Sequence, residues 1–259
     1  MIFGKLYKQE LKIAYDKKYF VFLVIILLLA IGFPFYGISS YVFGEIPIAE
    51  IPAEMKGELL KRIENLLLSR FTLTMLIFTA WSVFPKLFYG GKDSGEVEAK
   101  LSIGYSARRI WFSKALAVIT VAIAICIPLT LIIYLLMKIY FLSSFAMYGQ
   151  VTLFSWLQGF ILNPILVFGV VLLAGGFQLL SDDVRLSSLA VMFLGFVNVG
   201  SMVSMKGNTA MVQVIRNYLI IYAIAFIVLL ILNLFINKYM RAENVVISTL
   251  SFKRKKEQN

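Results

Sequence analysis

Residues 92–114 read KDSGEVEAKLSIGYSARRIWFSK, the most densely charged stretch in a chain that is otherwise mostly apolar. A helix is predicted here, capped by Ser94, with Glu96 and Glu98 in its first turn and Lys100 after them. It is too short and too polar to cross a bilayer, and it lies between two long apolar runs. It is therefore expected to sit at or below one membrane surface, where a soluble partner can grip it. The plain alternative is a solvated loop.

Outward from this stretch, composition sets the class. Of 259 residues, 60% are hydrophobic and only 15% charged, and the mean hydropathy is +0.86. A soluble domain of this length could not hide that much apolar surface, so an all-α polytopic membrane protein is expected. The net charge of +11 does not point to nucleic acid, because the basic residues cluster at the edges of apolar runs, as membrane topology requires. A single cysteine, Cys126, rules out an intrachain disulfide within the chain. The absence of histidine removes Ser-His-Asp and Cys-His catalysis, the zinc-peptidase motif and histidine-ligated haem. No cleavable signal peptide is evident, since the first apolar run is as long as a full span.

Residues 1–18 plot as an amphipathic helix. Phe3, Tyr7, Leu11 and Ala14 share one face, and Lys5, Lys8 and Lys12 share another, the pattern of a helix lying in the inner interface. Six spans follow, at about 19–41, 71–88, 115–140, 156–180, 186–205 and 218–237. Pro85 and Lys86 interrupt the inner end of the second. Between the first two, residues 53–70 form an outer surface helix with Met55, Leu59, Ile63, Leu66 and Leu67 on one stripe. Ile139 to Ser181 holds no charged residue over 43 positions. One crossing needs about 20, so an outer turn is expected around Ser143, Ser144, Tyr148, Gly149 and Gln150. A basic tail, residues 241–259, closes the chain. This arrangement puts 18 of the 25 Lys and Arg on inner segments and 7 on outer ones, so both termini are expected in the cytoplasm.

Gly95, Val97, Glu98, Leu101, Arg108 or Arg109, Ile110 and Lys114 follow an order that resembles permease subunits of the ABC-2 type, the membrane subunits of ATP-binding cassette exporters. In those, a Gly-Thr-hydrophobic-Glu start leads to a Pro-x-x-Arg turn and then a Gly-Lys. The present chain has Glu96 for Thr, Lys100 for Leu, Gly104 for Pro and Ser113 for Gly. The resemblance implies six spans, an N-terminal elbow helix, and a coupling helix at 94–104 within the loop 92–114. It also implies a homo- or heterodimer in the cell membrane that exports drugs, peptides, lipids or glycans. ABC ATPase subunits would be separate chains that carry the ATP, so no cofactor and no catalysis are expected in this one. Gly95, Glu96, Glu98, Leu101, Arg108 and Arg109 would then touch the ATPase.

The residues themselves agree on one point. Gly90-Gly91-Lys92 is followed by Asp93, not Ser or Thr, and lacks the spacing of a phosphate-cradling loop. Acidic or basic pairs inside the spans, the usual mark of ion coupling, are missing. Polar span residues are few: Asn163, Gln178, Asn198 and Asn233, read first as interhelical hydrogen-bonding groups. Tyr36, Asn163 and Asn198 are the candidates for a translocation path. Gly175-Gly176 is expected to allow close helix approach. The competing readings are a non-transporting six-span scaffold or anchor, and an intramembrane enzyme, for which no Ser/Lys or Asp pair is found.

Overall fold

A computed structural model describes residues 2–15, 57, 61, 64–65, 67–145, 151–181 and 211–258. Among them there is no strand; the elements are α1 (Ile2–Ala14), α2 (Thr72–Asp93), α3 (Glu96–Ser102), α4 (Ala107–Phe145), α5 (Leu153–Leu157), α6 (Asn163–Leu180), α7 (Met211–Tyr239) and α8 (Ala242–Gln258). Single π-helical turns, Leu67–Phe71 and Gln158–Leu162, lead into α2 and join α5 to α6.

Among the described residues, four helical stretches are long and apolar enough to cross a membrane: Leu67–Asp93, Ala107–Ile139, Leu153–Leu180 and Tyr222–Tyr239. They coincide with the second, third, fourth and sixth spans expected from sequence. The first and fifth, 19–41 and 186–205, lie outside the described residues, as do Met55, Leu59, Ile63 and Leu66 of the outer helix and Tyr148 to Gln150. Several boundaries differ from expectation: the apolar stretches begin at Leu67 and Ala107, not near 71 and 115, so the buried residues 67–70, assigned from sequence to the outer surface helix, lead directly into the span. α2 runs through Pro85 to Asp93; the proline forfeits one backbone bond and crowds the preceding turn, a cost that membrane helices packed against neighbours tolerate. α4 continues through Ser143 and Ser144 to Phe145, so the turn begins later than those serines suggest.

The core forms where α2, α4 and α6 pack together, with α1 laid along α4 and α7 against α6. Leu76, Ala80, Val83 and Leu87 of α2 meet Ala115, Val118, Ala122 and Cys126 of α4 in one buried cluster. Small residues set the helix spacing. A Cβ on Gly175 would run into the ring of Phe88 in α2, and one on Gly176 into Ile236 in α7. α6 is thus the middle helix, and the glycine pair is its two-sided contact, as the sequence suggested. Trp111 Nε1 donates to Leu172 O at 2.8 Å and Asn233 Nδ2 to Gly169 O at 3.0 Å, tying α4 and α7 to the same helix.

α1 confirms its stripe. Lys5, Lys8 and Lys12 are exposed, Tyr7 and Leu11 pack on the core, and Tyr7 Oη donates to Thr120 Oγ1 at 2.9 Å. The centre of the buried face is Leu6, Glu10 and Ala14, which puts a carboxylate where the apolar pattern predicts a hydrocarbon. The basic tail forms a helix, α8, folded back onto α6 and α2.

Candidate functional site

The short helix α3 is defined by two glycines. Gly95 has φ 76° and Gly104 φ 93°, the left-handed region that only glycine enters without cost. Gly95, not Ser94, is the N-cap of α3. The same residue ends α2, its N–H reaching Lys92 O at 3.3 Å. Ser94 turns back to α2 instead, its Oγ donating to Gly91 O at 3.5 Å, because two residues are too few for a separate cap. At the other end Tyr105 N–H reaches Lys100 O and Gly104 N–H reaches Leu101 O, both at 3.1 Å. This paired closure is the Schellman motif. Proline at 104 could supply neither the N–H nor the positive φ, so the departure at this position has a structural reason.

Behind α3 lies a closed ring of four charges. Lys100 Nζ donates to Glu10 Oε1 at 2.7 Å and to Glu96 Oε1. Lys114 Nζ donates to Glu10 Oε2 at 3.1 Å, to Glu96 Oε2 at 3.3 Å and to Leu87 O at 2.8 Å. Glu10 and Lys114 are fully buried and Glu96 is the most exposed of the four. Two carboxylates and two ammonium groups leave the ring neutral, and every charge faces its opposite on both sides, which is what burial of ions demands. Gly91 makes room for it: a Cβ there would stand 2.8 Å from both Glu96 Oε2 and Lys114 Nζ. Burial, the largest single influence on Glu96, pushes its carboxyl up, but Lys114 and Lys100 together outweigh it and hold the group below its ordinary value. The ring joins α1, α3 and α4 at one point, with α2 contributing Leu87 O.

A third buried lysine, Lys92, sits beside the ring. Lys92 Nζ donates to Gln178 O at 3.2 Å, Ser181 O at 2.6 Å and Ser248 Oγ at 2.5 Å. The ammonium thus closes the C-terminal end of α6, where carbonyls lack partners and the helix dipole is negative, and holds α8 in the same grip. The Gly90-Gly91-Lys92 sequence is the last turn of α2, and its lysine is engaged with these carbonyls.

Of the residues expected to meet a partner, Arg108 and Arg109 are exposed, and Gly95 and Glu98 half-exposed. Glu96 belongs to the buried ring, and Leu101 packs partly on the core. Ile103, which sequence reading passed over, is 73% exposed at the tip of the turn, flanked by exposed Ser102 and Gly104. Glu10 was also missed. Its position four residues from both Leu6 and Ala14, on the buried stripe of an amphipathic helix, is the signal that could have found it.

At the far end of the bundle the two π-helical turns face each other. Asn163, fully buried, donates from Nδ2 to Ser69 O at 2.6 Å and accepts from Tyr222 Oη, and Gln158 Nε2 donates to Tyr222 Oη at 3.1 Å. Asn65 Oδ1 accepts from Thr152 N–H and Oγ1, both at 3.0 Å. This is the interhelical bonding anticipated for Asn163, with a backbone carbonyl among its acceptors. Tyr36 and Asn198, the other two residues considered for a path, lie outside the described residues. No family model, curated protein or solved structure matches the chain.

Proposed function

We propose that the chain is the membrane subunit of an ATP-driven exporter of the ABC-2 type, working as a dimer with separate ATPase subunits, with both termini in the cytoplasm of a multi-pass cell-membrane protein. The observation that carries the reading is α3 itself. It is a seven-residue helix bracketed by two left-handed glycines, exposed at its tip, and held from behind to α1 and α4 by ion pairs, with Leu87 O of α2 accepting from the same Lys114 ammonium. A plain solvated loop has no use for a ring of three buried charges and a fourth, Glu96, half-buried. A helix that must transmit a push has, because rigid ionic contacts move as one body whereas flexible ones absorb the displacement.

In this mechanism, ATP-driven closure of the ATPase pair displaces α3, and the ring carries the motion to α1 and to the starting end of α4. Lys92, at the last turn of α2, passes it to α6. The work comes from the difference in ATPase contact between the ATP-bound and free states. The docking face is Ile103 as apolar anchor, with Glu98, Arg108 and Arg109 as polar rim. Leu101, the anchor suggested by sequence, supports the helix from the bundle side.

Affinity purification from native membranes should bring down an ATPase chain, while the purified subunit alone binds no ATP at micromolar concentration. Saturable ATP binding by the isolated subunit, or purification under mild conditions with no ATPase at all, would sink the reading. The non-transporting scaffold is the outcome the second result would favour.

A further inference from the structure

The C-terminal helix α8 carries an exposed apolar stripe beside a basic run. One face is pinned to the bundle: Val245, Ser248 and Thr249 are buried, and Ser248 Oγ takes the Lys92 ammonium at 2.5 Å. The opposite face shows Ile247, 65% exposed, and Leu250, 48% exposed. Positions 247, 250 and 254 are spaced i, i+3, i+7 and so fall on one stripe. Lys253, Arg254, Lys255 and Lys256 occupy four consecutive positions of the last turns. In sequence, the apolar stripe is thus followed by four cationic positions.

The preceding helix fixes the level at which α8 begins. The apolar span of α7 is only 11% buried, with Leu234 and Phe235 exposed near its end. It closes on exposed Lys238, Tyr239 and Arg241, the residue types that anchor a span at the headgroup layer. α8 starts at Ala242, immediately after that anchor. Apolar side chains at headgroup level find the acyl boundary, and clustered cations find anionic headgroups. A protein partner would instead need an acidic groove with apolar pockets, for which nothing in the chain argues.

We infer that α8 is an interfacial helix that binds anionic phospholipid headgroups, seating Ile247 and Leu250 at the acyl boundary. This rests on α7 crossing the bilayer and not on the transporter reading. The test uses the full chain in a Cys126→Ala background with an environment-sensitive fluorophore on Ile247→Cys. It is reconstituted in phosphatidylcholine vesicles with or without phosphatidylglycerol. Both leaflets carry the same lipid, so the outcome is independent of orientation in the cell. The label should be blue-shifted and quenched by shallow lipid-borne spin labels in the anionic vesicles, and much less so in neutral ones. High salt should reverse the difference. Each of Lys253→Gln, Arg254→Gln, Lys255→Gln and Lys256→Gln should weaken docking about fivefold, and the quadruple variant should abolish it. A label equally wet in both lipids would overturn the inference. So would equal quenching in both lipids that survives the quadruple substitution, or burial seen only in native membranes together with a protein cross-link.

Discussion

Replacing Glu10 by Gln removes one of the two carboxylates in the buried ring while keeping the side chain's shape. At an effective dielectric of about 20, opposite charges 4 Å apart gain roughly 4 kcal/mol, and Glu10 contacts its lysines at 2.7 and 3.1 Å. Taking each ion out of water costs several kcal/mol, so the intact ring is close to break-even as a stabiliser. The substitution is not. It leaves Lys100 and Lys114 with only Glu96 between them, and a buried charge that loses its partner costs about 3–5 kcal/mol. Glu96 is the most exposed member, and water reaching it screens part of that loss, so the lower end, about 3 kcal/mol, is expected. Thermal melting of the purified protein should show the drop, and a cycle of Glu10→Gln, Lys114→Met and the double variant should return a coupling energy of at least about 1 kcal/mol. Wild-type melting for Glu10→Gln, with coupling near zero, would refute the idea that the ring joins α1 to α3 and α4.

Glu96 gives the ring a pH dependence. Its carboxyl is held below the ordinary value of 4.5, so its contribution is complete above that pH and is lost as the pH falls through the folded-state value. Melting temperature should decline on acidification below 4.5 in the wild type and decline less in Glu96→Gln; parallel curves would contradict this. Gly104→Ala meets no atom within 4 Å, so its cost is the left-handed backbone alone, about 1–2 kcal/mol, read as earlier melting and faster proteolysis at the turn. Gly175→Val should be far worse tolerated than Gly104→Ala, because its side chain collides with Phe88, itself fully buried; overpacking of this kind costs about 1–3 kcal/mol or more, visible as loss of monodisperse protein in detergent. Cysteines placed at Glu58 and Ser144 should react with an impermeant thiol reagent in intact cells, and ones at Ser102 and Lys255 should not; labelling at Ser102 would overturn the topology.

Spans and stripes were legible in the sequence because lipid leaves a strong signal there. Runs of apolar residues bounded by charges located α2, α4, α6 and α7. The lysines of α1 and the glycine pair of α6 were read correctly because each has a single common physical use. The misreadings concern groups whose role depends on a distant partner. Glu10 looks like surface charge until Lys100 and Lys114, 90 and 104 positions away, are folded against it. Lys92 looks like one more boundary lysine until the end of α6 arrives to be capped. Ser94 is a good cap by type, but with α2 ending at the same point the left-handed residue takes precedence, and that is Gly95. Leu101 was named through its place in the resembling motif, but it packs partly on the core, and Ile103, one position past the helix and outside that motif, is the exposed apolar side chain. Pro85 and the serines at 143 and 144 failed as punctuation, since a helix already satisfied by its neighbours and by lipid continues through weak stop signals.

The proposed contact of α3 with an ATPase can be tested by photo-cross-linking, which does not rely on stability. A photoreactive amino acid placed at position 103 in native membranes should form one major adduct, with a chain that carries a nucleotide-binding domain. The same group at Phe78, exposed on the apolar surface of α2, should form none with that chain. No adduct at 103, an adduct with a protein lacking such a domain, or equal adducts from both positions would contradict the proposed coupling to an ATPase through α3.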